Sequence, residues 1–104
     1  MKTIAIAIML VIFTATGAYG SESNACEHYA GMAEAIMEAR QDGAPKQELI
    51  DLVNRNATSE SQRDLAILMI IEAYEIPRGE TPEERELLVK LFRKAIYEAC
   101  KIEW

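Results

Sequence analysis

Thr81 to Cys100 read TPEERELLVKLFRKAIYEAC, and the fold turns on this stretch. Thr81 can cap a helix, Pro82 suits its first position, and Glu83 and Glu84 place negative charge at the positive end of the helix dipole. Leu88, Leu91, Phe92, Ala95, Ala99 and Ile102 then recur at spacings of three and four, which predicts a helix with these residues on its inner side. Near its end stands Cys100. The only other cysteine, Cys26, lies near the opposite end of the chain.

Three more helices are predicted upstream, and no strand. The first runs from about Asn24 to Asp42, with Cys26, Tyr29, Ala30, Ala33, Ile36 and Met37 on one stripe and Glu27, Glu34 and Glu38 opposite. Gly43 can take the left-handed conformation that stops it. The second begins at Pro45, read as the first helical residue, and carries Leu49, Ile50, Leu52 and Val53 on its apolar face. It closes at Asn54-Arg55-Asn56. The third starts near Thr58-Ser59, where Ser59 and Gln62 have the spacing of a capping box. Its run Leu65–Ile71 is apolar on every side, a pattern that fits either a surrounded helix or one that shows a face to a partner; a buried strand is the competing reading. Pro77 stops this helix and Arg78-Gly79-Glu80 make a turn. Short loops predict antiparallel neighbours, so four passes bring Cys100 back beside Cys26. The expected fold is all-α: a compact bundle of four short antiparallel helices, the terminal two joined by a Cys26–Cys100 disulfide. An intermolecular disulfide and a reactive thiol are the alternatives for these cysteines.

Residues 1–20 explain why a disulfide is expected. Lys2 gives a positive start, Ile4–Phe13 is an apolar run, and Ala18-Tyr19-Gly20 supplies small residues at a cleavage site before Ser21. The run is too short to cross a bilayer, which needs about 20 apolar residues. A signal peptide over 1–20 and a single helical domain over 21–104 follow, with bacterial export to the periplasm or outside. That compartment is oxidising.

Charge narrows the partners. Removing Lys2 with the leader leaves 10 basic residues against 17 acidic ones, a formal charge of −7. Nucleic-acid binding needs the opposite balance, anionic membrane surfaces are disfavoured, and a basic protein partner suits it better.

Catalytic chemistry finds no candidates. With one histidine, His28, a Ser-His-Asp site cannot be assembled from Ser21, Ser23, Ser59 or Ser61. His28 could meet Glu98 or Glu103, yet no metal-ligand spacing supports a site. No cofactor, metal or catalytic residue is expected. Paired carboxylates such as Glu34 with Glu38 read as surface or capping charges. Glu72 shares a side with Leu65, Leu68 and Met69 and is expected half-buried against an arginine. Tyr97 and Trp104 fall almost opposite the Leu88–Ala95 stripe, near Arg93, Lys90 and Lys101, on the only basic face of an acidic protein, and Arg93, Tyr97, Lys101 and Trp104 are singled out there. These residue types dominate interfaces, so they are the expected partner-binding residues.

Cys26-x-x-Tyr29-x-Gly31, Ile71-Glu72-Ala73-Tyr74 before a proline turn, and Ala95-x-x-x-Ala99-Cys100 in a short exported helical chain resemble the small periplasmic immunity proteins that neutralise type VI secretion amidase effectors. The resemblance implies a helical inhibitor that occludes a cell-wall enzyme, with a homodimer as one arrangement; it carries over no inhibitory residue. A weaker similarity is to acid-activated periplasmic chaperones of the HdeA kind. The functional expectation is a non-enzymatic binding protein of the envelope, an inhibitor or immunity-like module. An acid-stress chaperone and an envelope assembly factor are the alternatives.

Overall fold

Cys26 and Cys100 are joined, with their Cα atoms 5.6 Å apart across 74 positions of sequence. The structure, a computed structural model, describes residues 22–103. Residues 1–20, expected to be a leader, lie outside the described residues, as does Trp104. Four helices make up the fold: α1 (Glu22–Gln41), α2 (Lys46–Asn56), α3 (Glu60–Glu75) and α4 (Pro82–Glu103). They form a compact all-α bundle, and the disulfide ties the first helix to the last. No strand occurs among the described residues, so the Leu65–Ile71 run is helical.

α1 is the axis of the packing. It meets α4 along its length and α3 elsewhere on its surface, while α2 packs on α3. Its central position explains its composition. Ala30, Ala33, Ala35 and Ala39 are buried on several sides of the helix, and their small side chains let neighbouring helices approach closely. Met32, Ile36 and Met37 fill the gaps, and from α2 and α3 come Leu49, Val53, Met69 and Ile70. Burying each such side chain fully is worth about 1.5–3 kcal/mol relative to exposure.

The helix ends follow local chemistry. α1 closes in a Schellman arrangement: Gly43 adopts φ +94°, its N–H donates to the Arg40 carbonyl at 3.0 Å, and the Ala44 N–H donates to the Ala39 carbonyl at 2.9 Å. Pro45 caps α2 rather than opening it, with φ −66° and ψ 142°. Its ring presets φ, but its extended ψ keeps it just outside the helix. Ser59 caps α3, its hydroxyl accepting the Gln62 N–H at 3.1 Å. The reciprocal arm slips by one residue, because the Gln62 side-chain oxygen accepts from the hydroxyl and N–H of Thr58 instead of the Ser59 N–H. At α4 the Thr81 hydroxyl accepts the Glu84 N–H at 3.1 Å, and the Glu84 carboxylate accepts the Glu80 N–H at 2.7 Å.

α4 is turned relative to the sequence expectation. Its buried residues are Val89, Phe92, Ile96 and Cys100. Leu88 and Ala99 are half-buried, whereas Leu91, Ala95 and Ile102 are exposed. The observed stripe leads the expected one by about one residue, or roughly 100° around the helix. Cys100 must face α1 to reach Cys26, and counting back from it by fours and threes selects Ile96, Phe92 and Val89. Glu72 likewise departs from expectation: it is exposed, because α3 turns Ala66, Met69, Ile70 and Ala73 inward and leaves Glu72 beside Leu68 on the outside.

The loop between α3 and α4 is held to the end of α1 by polar contacts. Gln41, only 2% exposed, donates from its side-chain nitrogen to the Pro77 carbonyl at 3.4 Å and accepts the Gly79 N–H at 2.8 Å. Arg78 donates to the Gln41 carbonyl at 2.9 Å, and Arg40 to the Ile76 carbonyl at 3.0 Å. The Arg40 guanidinium also lies over the Tyr74 ring, whose hydroxyl donates to the Ala44 carbonyl. Burial holds that hydroxyl above its ordinary pKa; Arg40 opposes the rise and Glu48 adds to it.

Candidate interaction surface

Three surfaces stand out. The first gathers the residues singled out on α4. Arg93 reaches from α4 to α1, its guanidinium 3.0 Å from Glu27 and 3.4 Å from Glu34. Lys101 lies 3.8 Å from Glu98 and over the Tyr97 ring at 5.2 Å. The structure therefore brings Arg93, Tyr97 and Lys101 onto the half of α4 near the disulfide, but most of the positive charge there faces carboxylates of the same molecule. Arg93 acts chiefly as a strap between the terminal helices. Exposed pairs of this kind contribute about 0.2–1 kcal/mol.

The strap borders an acidic ridge on α1. Glu27, Glu34, Glu38 and Asp42 follow one another at helical spacing along it. Arg93 compensates the first two. Glu38 sits beyond its reach, and its pKa is raised, chiefly by burial and further by the negative charges of Glu34 and Asp42.

The second surface is the outer face of α3. Leu68 is 50% exposed and Ile71 38%, with Leu65 half-buried beside them. Asp64, Glu72 and Glu75 are exposed within the same arc, and the arc contains no lysine or arginine. Arg63 lies at its edge, paired with Glu60 at 3.4 Å and Asp64 at 3.3 Å. An apolar centre ringed by carboxylates, of which Arg63 compensates only Asp64 from the edge, is the pattern that a basic, partly apolar partner complements. Periodicity alone left this face undecided, because Leu65–Ile71 is apolar on every side; the packing of α1 and α2 decides which residues stay outside.

The third is the outer face of α4, where Leu87 and Leu91 are 54% and 52% exposed. Leu91, expected on the inner stripe, lies on this outer face because α4 is rotated.

An open depression of about 340 Å³ is lined by Asn54, Ala57, Thr58, Ser59, Glu60 and Arg63, all polar or small. Ser59 in it is engaged as a cap. Among the described residues, no group of three His, Cys, Asp or Glu side chains could hold a metal ion, and no helix is long and apolar enough to cross a membrane.

Fold and surface together define a class: a small disulfide-joined helical protein that presents convex helix faces. No protein-family model matches the chain, and neither a curated protein nor a solved structure matches it.

Proposed function

We propose that this chain is a non-enzymatic binding protein of the bacterial envelope, periplasmic or secreted, which works as an inhibitor or immunity-like module against a basic protein partner. The observation that carries the reading is the α3 face, with Leu68 and Ile71 exposed amid Asp64, Glu72 and Glu75. The covalent tie between α1 and α4 supports it, since a disulfide persists in an exported protein and holds the helices rigid. Rigidity matters for an inhibitor, because a preordered face loses little entropy on binding. The acidic balance of the chain favours fast encounter with a basic partner.

Capture from envelope extract tests the reading, with wild-type protein and a Leu68→Glu/Ile71→Glu variant immobilised side by side. The expected result is one enriched basic protein, retained by the wild type, released by salt and lost with the variant. Identical captures by both proteins, or no specific capture by either, would overturn it. Binding that Tyr97→Ala and Lys101→Ala abolish, with the α3 variant unaffected, would move the site to α4.

A further inference from the structure

We propose that the outer face of α4 pairs antiparallel with the same face of a second copy of this chain. With Val89, Phe92, Ile96 and Cys100 turned toward α1, the opposite side of α4 centres on Leu87 and Leu91. These stand one helical turn apart, so their side chains form a single exposed apolar patch. Each is more than half exposed. Isolated apolar side chains on a surface are ordinary, but two large ones adjacent along one helix give a seam.

Charge selects the occupant and its direction. Toward the start of the helix the seam is flanked by exposed Glu83 and Glu84, and toward its middle by exposed Lys90 and Lys94. A parallel second helix would set like charges opposite each other. An antiparallel one sets acid against base. The arms match to within one residue, about 1.5 Å of helix rise: Glu83 precedes Leu87 by four residues, and Lys94 follows Leu91 by three. One two-fold axis therefore places Leu87 on Leu91 of the second copy while bringing Glu83 to Lys94 at both ends. This is the self-complementary arrangement that a closed dimer requires. Lys90 stays at the rim with Glu86, 3.7 Å away on its own helix. The α3 face cannot pair with itself in this way, since its flanking charges are all negative. The dimer thus leaves that face open and does not depend on the function proposed above.

The interface is small. A 22-residue helix is about 33 Å long, and one pair of helix faces buries less than the ~1,200 Å² of stable interfaces. The association is accordingly weak and concentration-dependent.

Sedimentation velocity on the oxidised protein, across about a hundredfold range of concentration, tests this. The expected result is a shift from monomer toward dimer mass as concentration rises. Leu87→Glu/Leu91→Glu should weaken dimerisation at least about tenfold with the thermal melt unchanged. Glu83→Lys should weaken it as well, and adding Lys94→Glu in the same chain should restore it. A monomer at every concentration would overturn the proposal. So would a dimer indifferent to the leucine variant, a charge swap that fails to restore, or a dimer held by disulfides on a non-reducing gel.

Discussion

The side-chain oxygen of Gln41 accepts the backbone N–H of Gly79 at 2.8 Å, joining the end of α1 to the loop before α4 across 38 positions of sequence. Both groups are buried, and the Gln41 amide nitrogen faces the Pro77 carbonyl of the same loop. One side chain thus supplies partners for two backbone groups, and the Gly79 N–H is buried away from water. Replacing it by leucine keeps its bulk but leaves the Gly79 N–H unpaired. Stranding a buried donor costs about 1–3 kcal/mol. Gln41→Leu should lower the melting temperature by roughly 5–20 °C, given about 4–8 °C per kcal/mol for a domain of this size. A melt that matches the wild type would show that the clasp contributes nothing.

Two glycines are required for different reasons, and substitution separates them. A Cβ on Gly79 would lie 2.8 Å from the Arg85 nitrogen and from the Glu84 Cβ, and 2.9 Å from the Glu84 carbonyl carbon. Backbone cannot yield there without shifting the start of α4, so Gly79→Ala should cost about 1–3 kcal/mol. Gly43 has room, its nearest neighbour being the Arg78 guanidinium at 3.8 Å, but its φ of +94° disfavours a side chain. Gly43→Ala should cost about 1–2 kcal/mol, and Gly43→Asn less, because asparagine tolerates that region better. Denaturant titration checks both, and Gly79→Asn should give no such relief.

The Cys26–Cys100 bond closes nearly the whole folded chain into one loop. Chain-entropy estimates for a loop of this length give ~4.5 kcal/mol. Net stability for a domain of this size is about 5–10 kcal/mol, so the bond accounts for much of it. The Cys26→Ala/Cys100→Ala protein should therefore melt far below the oxidised one, and its α1–α4 contacts should exchange amide hydrogens first. Superimposable melts with and without reductant would refute this.

The elements that sequence exposes are those set by local chemistry. Thr81, Ser59 and Gly43 mark helix ends through their own backbone and side-chain bonds, and the cysteine positions agree with an even number of antiparallel passes. The face of α4 is not legible from periodicity, because Leu88 and Leu91 outweigh Val89 and Ile96 in hydrophobicity. Only the pairing of Cys100 with Cys26 fixes the true rotation, and it turns Leu87 and Leu91 outward. The clasp at Gln41 left no trace in periodicity, since it joins a polar side chain at a helix end to a loop 38 positions away. Arg93 read as a free interface cation for the same reason: its carboxylate partners, Glu27 and Glu34, come from the opposite end of the sequence.

Glu38 offers a pH test of the acidic ridge. Burial first, then Glu34 and Asp42, raise its pKa above the ordinary 4.5. A carboxyl whose folded pKa is raised binds its proton more tightly in the fold than in the unfolded chain, so its ionisation opposes folding. That cost is fully present above the folded pKa. It shrinks as pH falls from there toward 4.5 and is gone below it. Removing the charge with Glu38→Gln should stabilise the protein at neutral pH, and by no more than roughly 0.5 kcal/mol, because the site is partly solvated and screened. The gain should vanish in acid, where the wild-type carboxyl is protonated in both states. Paired urea titrations at neutral pH and well below pH 4.5 check both halves. A variant that is less stable at neutral pH would mean that Glu38 holds a favourable contact, and one whose advantage persists in acid would mean that the gain came from packing rather than charge.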